Sequence, residues 1–200
     1  PLPKEQYTSK DYWALPEGQA ELIDGQLYNM APPSRIHQEI TFQIARKLAD
    51  YIDSKKGNCK VYPAPFAVNL DTDDKNWVEP DISVICDPDK LTDGDAPALL
   101  IIVEVVSPSS RRMDYLNKTG LYLNSGVREY WIIDPLKKYT TVYLNEQDPA
   151  EFAPLSSRLK AVSRLESSLT VYQYQSAAVI VATSQHQGVT KRYPLNNKML

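Results

Sequence analysis

The stretch A-L-L-I-I-V-E-V-V, residues 98–106, decides how this sequence folds. Its apolar residues do not alternate with polar ones, which predicts a β-strand that is buried on both faces. Glu104 interrupts this apolar run. Burying an ionised carboxylate in such a strand costs several kcal/mol unless a cation or strong hydrogen-bond donors lie beside it. We therefore expect Glu104 to have a charged or hydrogen-bonding partner.

Asp81 is the expected neighbour of Glu104. It follows Pro80 at the start of another apolar strand, in the stretch W-V-E-P-D-I-S-V-I-C, residues 77–86. Two carboxylates on adjacent strands repel each other and raise at least one of the two pKa values, unless a divalent metal neutralises them. A hard cation such as Mg²⁺, which takes oxygen ligands and retains waters, suits this pair.

Composition places the chain among globular proteins. Its 200 residues suit one domain with a full core, and 42% apolar and 24% charged residues are ordinary values. No apolar run reaches the length of a membrane span, and the N-terminal stretch P-L-P-K-E-Q-Y has no signal-peptide core. We therefore expect a cytoplasmic protein without a membrane partner.

The charge balance and the cysteines bear on partners and location. A net charge of −3 argues against tight non-specific binding of nucleic acid. A local basic surface is still possible, with Arg111, Arg112 and Lys118 or the Lys137-Lys138 pair as candidates. Cys59 and Cys86 lie in strand-like segments without metal-ligand spacing. We expect them to be buried free thiols, as in a reducing cytoplasm, and not a disulfide.

Hydrophobic periodicity and turn residues predict short alternating helices and strands in the rest of the chain. The predicted helices are residues 8–15, about twenty residues between Ser34 and Gly57 with isoleucine or leucine at 36, 40, 44, 48 and 52, residues 107–124 followed by Gly126, and residues 156–165. The predicted strands are the hairpin 21–30 around Asp24-Gly25, residues 61–70, the strand that carries Asp81, the pair 127–133 and 139–144, and residues 169–174 and 177–182. Segments 71–76 and 88–97 are predicted loops, and the tail from residue 184 is unassigned.

Lys118 is the cation that we expect beside the two acids. It lies about eight residues into the helix that follows the Glu104 strand, which brings it roughly 12 Å back along the strand direction. Glu104 lies two or three residues before the end of its strand, or roughly 7 to 10 Å back, so the connecting loop absorbs the difference. Two carboxylates, a metal and a lysine form a minimal set for phosphodiester hydrolysis.

Four stretches resemble, in the same order, the Uma2 family. They are E-L-I-D-G-Q-L-Y-N-M-A-P-P-S-R-I-H, V-E-P-D-I-S-V, V-E-V-V-S-P-S-S-R-R-M-D-Y-L-N-K and G-V-R-E-Y-W-I-I-D-P. The family consists of candidate endonucleases and is common in cyanobacteria. The match runs from about residue 12 to residue 143, and the order of the motifs is more specific than any one of them. The resemblance implies an α/β fold with a restriction-endonuclease-like, PD-(D/E)xK core, in which a mixed central β-sheet is flanked by helices.

The resemblance also implies one domain over residues 1–200, with its core at about 12–145 and an extension at 146–200, and a site that depends on Mg²⁺ or Mn²⁺. Asp81 matches the aspartate of the motif and Glu104 its second acid, so both are expected to bind the metal. The lysine of the superfamily usually lies two residues after that acid, where this chain has Val106. Lys118 is the expected substitute, because the family pattern R-D-x-x-x-K reappears, with its arginine displaced by one, in R-M-D-Y-L-N-K.

Two further residues complete the candidate catalytic set. Glu21 matches the acid of the E-L-I-D-G motif and is expected to be an outer metal or water ligand. His37 matches the histidine of P-P-S-x-x-H and is expected to face the same cleft.

Each candidate also has a structural interpretation. Asp81 could cap a strand or turn, and Glu104 could form a buried ion pair with Arg112 or Lys118. Lys118 could lie on the surface beside Asp114 one turn earlier. Glu21 could be a charge at a strand edge, and His37 a packing or capping residue. Tyr122, Tyr130 and Trp131 are interpreted as core or interface aromatics.

Two functions follow. The first is a Mg²⁺-dependent endonuclease that hydrolyses phosphodiester bonds, with DNA as the expected substrate and a homodimer as the expected assembly. The alternative is a non-catalytic module that keeps the nuclease fold and binds nucleic acid or protein. Separations of more than roughly 8 Å among Asp81, Glu104 and Lys118 would favour the alternative, because metal ligation needs near-contact distances.

Overall fold

The computed structural model describes residues 6–16, 20–70, 74–86, 99–145, 179–181 and 189–194. The helices are α1 (Ser9–Tyr12), α2 (Arg35–Ser54) and α3 (Lys118–Asn124), and a π-helical turn (Met113–Asn117) leads directly into α3. The strands are β1 (Ala20–Ile23), β2 (Gln26–Asn29), β3 (Lys60–Pro63), β4 (Val68–Asn69), β5 (Trp77–Val78), β6 (Ile82–Ile85), β7 (Leu99–Val105), β8 (Glu129–Asp134), β9 (Tyr139–Leu144), β10 (Val179–Val181) and β11 (Val189–Pro194). In these ranges, no helix is both long and apolar enough to cross a membrane.

The strands of the described ranges form two sheets. The large sheet has the order β10-β11-β9-β8-β7-β6-β3, and the small sheet has the order β2-β1-β5-β4. In the large sheet β7 and β8 are parallel and the other pairs are antiparallel, so the sheet is mixed. The predicted α/β fold with a mixed sheet flanked by helices is confirmed. The apolar strand β7 lies inside the large sheet, between β6 and β8.

Helix α2 covers one face of the large sheet. Its buried side chains Ile40, Ile44, Leu48 and Ile52 recur every four residues and pack on the strand residues of that face. Ile36, in the first turn, lies outside this stripe and is 38% exposed. The helix begins at the predicted cap, where the Ser34 hydroxyl oxygen accepts a hydrogen bond from the backbone N–H of residue 37.

The small sheet and α3 cover the other face of the large sheet. Side chains from β1, β4 and β5 share one apolar cluster with Tyr122 of α3 and with Ile102, Tyr130 and Ile132 of the large sheet. The hairpin β1–β2 turns at Asp24 and Gly25, as predicted, and both residues have positive φ, the conformation that a two-residue type I′ turn needs.

Two predicted strands are each divided between the sheets. Residues 61–70 form β3 in the large sheet and β4 in the small one, and the chain crosses between the sheets at Pro63-Ala64-Pro65. The strand predicted to carry Asp81 is likewise divided into β5 and β6, with Glu79-Pro80-Asp81 between them. The prediction of single strands is wrong here, because proline lacks the N–H that a continuous ladder requires.

The structure also corrects the cysteine prediction. Cys59 and Cys86 form a disulfide. Their neighbours Lys60 and Ile85 are paired in the antiparallel β3–β6 ladder, so the register places the two cysteines opposite each other. The expectation of free thiols is therefore wrong.

The remaining predictions have mixed outcomes. The helix before Gly126 is present, with a π-helical turn that was not expected, and Gly126 has the predicted positive φ. Strands β8, β9 and β10 fall at the predicted positions, and β11 lies in the tail that was unassigned. The predicted segments 88–97, 156–165 and 169–174, and residues 71–73 of the first loop, lie outside the described residues. The domain boundaries at 12–145 and 146–200 remain predictions.

Candidate active site

Asp81 and Glu104 lie opposite each other where the two sheets meet. Ile82 of β6 pairs with Val103 of β7 in an antiparallel register, so the residues one step outward are Asp81 and Glu104. The backbone N–H of Val105 donates to Oδ2 of Asp81 at 2.7 Å, which ties the aspartate to the end of β7. The predicted adjacency of the two acids is thus present in the structure.

Glu104 has the partners that its burial requires. Its side chain is on the β7 face that also carries Ile102, the face covered by α3, and the residue is 5% exposed. Its Oε1 accepts hydrogen bonds from Nζ of Lys118 at 2.9 Å and from the hydroxyl of Tyr122 at 2.8 Å. One face of α3 supplies both donors, because residues four apart lie on the same side of a helix.

Lys118 is the cation at the centre of the cluster. It is 5% exposed, and its Nζ lies 2.8 Å from Oε2 of Glu21, 2.9 Å from Oε1 of Glu104 and 3.8 Å from Oδ1 of Asp114. A buried ammonium is stable only when it is paired and hydrogen-bonded. The interpretation of Lys118 as a surface residue is therefore wrong.

Glu21 connects the small sheet to Lys118. It is buried in β1, and its Oε1 accepts hydrogen bonds from Nζ of Lys118 and from the backbone N–H of Glu79, both at 2.9 Å. Glu79 is itself buried and accepts a hydrogen bond from the hydroxyl of Tyr12 at 2.7 Å. The series of contacts from Tyr12 through Glu79, Glu21 and Lys118 to Glu104 joins α1, both sheets and α3.

The cluster holds more negative than positive charge. Burial raises the pKa of Glu104 well above its usual range, although the Lys118 ammonium opposes that shift. Burial likewise raises the pKa of Asp114 to about 6. Burial would lower the pKa of Lys118, but Glu104, Glu21 and Asp114 outweigh that effect and raise it. One ammonium faces three carboxylates, so the site has an affinity for a further positive charge, whether a proton or a metal cation.

His37 pairs with Asp81 at the more open end of the site. Its Nε2 lies 3.1 Å from Oδ2 of Asp81, whose side chain is 17% exposed. Burial lowers the pKa of His37, but the hydrogen bond and charge of Asp81 outweigh it, and the net shift is upward. The other ring nitrogen, Nδ1, is buried and has no hydrogen-bond partner among the described residues.

Comparison with known proteins identifies the family. The model of the Uma2 family, described as "Putative restriction endonuclease", matches residues 6–177. The chain belongs to the Uma2 family. The uncharacterized protein slr1290 of Synechocystis is 27% identical over 153 residues, which cover 74% of this chain and 78% of that protein. A second uncharacterized Synechocystis protein, sll1609, is 28% identical over 119 residues, or 58% of this chain and 66% of that protein.

A solved structure supports the fold. The crystal structure of a "putative nuclease belonging to DUF820" from Anabaena variabilis superimposes with a TM-score of 0.59. The two chains are 19% identical, and the match covers 70% of this chain and 81% of the other. At this identity the similarity establishes a shared nuclease-like architecture for the Uma2 chain.

The structure gathers the candidate residues of the Uma2 chain into two connected groups. Glu21, Glu104 and Lys118 are in mutual contact through the lysine, and His37 contacts Asp81. The hydrogen bond from the Val105 N–H to Asp81 joins the groups at the strand position next to Glu104.

Sequence reasoning missed three other residues of this site. Asp114 and Tyr122 lie four residues before and after Lys118, on the same face of the helix. From the sequence, Asp114 was interpreted as a surface partner of Lys118 and Tyr122 as a core or interface aromatic. Glu79 adjoins Pro80-Asp81 and had no signal of its own, since its contact with Glu21 depends on how the sheets pack.

The donor set decides which metal could bind. No group of three or more His, Cys, Asp or Glu residues in the described ranges could hold a metal ion unaided. Asp81 and Glu104 supply carboxylate oxygens from adjacent strands. Mg²⁺ is commonly bound by one or two carboxylates, with waters and substrate phosphate completing its shell. The residues of the Uma2 site therefore fit a hard divalent cation that retains most of its waters.

The candidate basic surface is smaller than expected. Lys118 is buried, and Arg111 forms an ion pair with the buried Asp134. Of that group Arg112 remains exposed, as do Lys137 and Lys138 in the β8–β9 turn. Asp134 also accepts a hydrogen bond from the backbone N–H of Lys137, so its carboxylate holds both Arg111 and the β8–β9 turn.

Proposed function

We propose that this chain is a metal-dependent endonuclease that hydrolyses phosphodiester bonds of DNA, with Mg²⁺ or Mn²⁺ held by Asp81 and Glu104. The supporting observation is the placement of Lys118 Nζ, 2.9 Å from Glu104, at the strand ends where Asp81 lies opposite that glutamate. This arrangement supplies metal-binding oxygens beside a cation that can stabilise negative charge on a phosphate.

Each residue has a defined task in this proposal. A cation bound by the two carboxylates would polarise the phosphate and acidify a coordinated water. Lys118 stabilises the charge that develops on the phosphate oxygens, and Glu21 holds its ammonium in place at 2.8 Å. His37 orients the Asp81 carboxylate through Nε2, and Tyr122 fixes Oε1 of Glu104 through its hydroxyl.

Cleavage and metal binding test the proposal together. Purified protein is incubated with plasmid DNA, linear DNA and RNA in Mg²⁺ or Mn²⁺, and metal binding is measured by calorimetry without nucleic acid. We expect DNA cleavage that Asp81→Ala and Lys118→Met abolish, and metal binding that Asp81→Ala abolishes. Glu39→Gln removes an exposed carboxylate on α2 and is the matched control.

The outcome that contradicts the proposal is equally specific. If the wild-type protein cleaves neither DNA nor RNA with either metal, and calorimetry shows no binding that Asp81→Ala removes, the chain is not a metal-dependent nuclease.

A non-catalytic module is the second candidate, and two observations favour it. Glu104 and Lys118 are each 5% exposed and satisfy one another, and the net charge is −3. In that case the cluster would hold the two sheets together, while an outer surface binds nucleic acid or protein. Binding of DNA in a gel-shift assay that Asp81→Ala leaves unchanged, without any cleavage, would favour this function.

The assembly and location belong to the same proposal. A homodimer would place two sites on the two strands of a duplex, and light scattering on a sizing column measures the mass directly. We also propose that the protein acts in the cytoplasm, on the ground of its proposed DNA substrate alone, because the Cys59–Cys86 disulfide removes free thiols as an argument for that location.

A further inference from the structure

Asp114 is a buried carboxylate beside Lys118 that the proposed mechanism does not use. The residue is 2% exposed, and its Oδ1 lies 3.8 Å from Lys118 Nζ. This distance permits charge attraction but is too long for a hydrogen bond, whereas Glu21 and Glu104 both hydrogen-bond the ammonium. Asp114 is therefore close enough to attract the ammonium without engaging it.

The π-helical turn explains how Asp114 is held. The backbone N–H of Lys118 donates to the carbonyl of Met113, five residues earlier instead of four. The Asp114 carbonyl therefore loses its usual helical donor and instead accepts hydrogen bonds from the hydroxyls of Tyr130 at 3.0 Å and Thr119 at 3.2 Å. A side chain of β8 thus fixes the backbone of Asp114 against the large sheet.

Glu104 has two competing demands on it. Its Oε1 accepts hydrogen bonds from Lys118 and Tyr122, and the proposed function requires the same carboxylate to bind a cation. Positive charges repel, so a cation at Glu104 weakens the hold of that carboxylate on the ammonium. Glu21 then still hydrogen-bonds the ammonium, and Asp114 is the other carboxylate within reach of it.

We propose that Asp114 is a positioning residue that, together with Glu21, holds the Lys118 ammonium in the site when its contact with Glu104 is lost. This inference rests on the proposed function and goes beyond it. It names the residue that allows Glu104 to release the Lys118 ammonium when it binds the metal. A purely structural Asp114 would affect stability alone.

The test removes the negative charge of Glu104 without any metal. In metal-free full-length protein, the ¹⁵Nζ signal of Lys118 is assigned by its absence in Lys118→Met, and the hydrogen exchange of the ammonium is measured. In Glu104→Gln we expect the ammonium to stay protected. In Glu104→Gln/Asp114→Asn we expect exchange at least about tenfold faster, and Glu104→Gln/Asp114→Glu should restore protection because the longer acid still reaches.

Urea unfolding of the same variants gives a second measurement. Because Asp114 takes over only when Glu104 is neutral, the double variant should lose more stability than the two single variants together. If the double variant does not fold, Glu104→Gln/Asp114→Glu decides in its place: a protected ammonium in that folded variant supports the proposal, and fast exchange overturns it. Additive losses with unchanged exchange in the double variant would overturn it.

Activity separates this inference from the proposed function. If the wild-type protein cleaves DNA, Asp114→Asn should lower kcat at least about tenfold and leave KM within about twofold. An unchanged kcat in a folded Asp114→Asn overturns the positioning role and leaves the nuclease intact. If no variant cleaves DNA, the endonuclease proposal fails, while the exchange measurement still decides where Lys118 resides.

Discussion

Replacing Lys118 by methionine probes the charge balance of the whole site. Methionine matches the length and apolar stem of lysine, so the substitution removes the ammonium with little change in packing. Glu21 and Glu104 then lose a hydrogen bond from Nζ, and Asp114 loses its nearest cation. Removing one partner of a buried ion pair costs about 3–5 kcal/mol, so we expect a loss of this size at pH 7.

The loss of stability caused by Lys118→Met should be smaller in acid than at pH 7. Asp114 has a pKa raised from 3.8 to about 6, so the stability linked to its proton is complete below its unfolded value and is lost as the pH rises through 6. In Lys118→Met the acids bind protons more tightly still, because the opposing cation is gone. Protonated acids need no counter-ion, so the difference between variant and wild type narrows below pH 6.

Urea unfolding at pH 5, 7 and 8 measures this difference. Lys137→Met, which removes an exposed lysine from the β8–β9 turn, is the control and should stay within about 0.5 kcal/mol of wild type. A Lys118→Met protein as stable as wild type at pH 7, or one whose deficit does not depend on pH, would refute the role of Lys118 as the counter-ion of three buried carboxylates.

Three further predictions concern neighbouring features. In the wild type, the raised pKa of Asp114, from 3.8 to about 6, should lower the free energy of unfolding by about 3 kcal/mol as the pH rises from 4 to 6. Asp114→Asn should remove this pH dependence, and urea unfolding at several pH values across that range measures it. Asp81→Asn should lower the pKa of His37 towards its unperturbed value, because the carboxylate that raises it is gone; NMR of the ring protons measures this, and a pKa equal to wild type would contradict the pairing. Reduction of the Cys59–Cys86 disulfide, whose cysteines are 27 residues apart, should cost about 3.5 kcal/mol in chemical unfolding. A Cys59→Ala/Cys86→Ala variant should not respond to the reductant, and equal stability of the oxidised and reduced wild type would contradict the disulfide.

Local pattern predicts much of this fold. Periodicity and turn residues predict three elements whose pattern lies within a few neighbouring residues: the apolar stripe of α2, the turn at Asp24-Gly25 and the apolar strand β7. Glu104 stands out for the same reason, as a charge inside an apolar run. The need for a cation, and the reach of the following helix, lead from there to Lys118.

Other features depend on how distant segments pack. The chain passes between the two sheets at residues 63–65 and again at residues 79–81, and no local sequence pattern predicts that a second sheet exists. The disulfide depends on the β3–β6 register, which composition does not reveal. The sequence does not show whether Asp114 forms a surface ion pair or a buried one with Lys118, because the spacing of four residues is the same in both cases.

The π-helical turn has one more physical result. It adds a residue to the helix between β7 and β8, and a helix that carries one extra residue rotates everything after it by roughly 100°. In a regular α-helix ending at the same Gly126, the side chains on the far side of the turn would face a different direction. The inserted residue therefore sets the direction in which Lys118 and Tyr122, which follow the turn, point relative to the residues that precede it. Deleting one residue from 115–117 would rotate Lys118 and Tyr122 by roughly 100° relative to that preceding segment, while every charged side chain of the site would stay in the sequence.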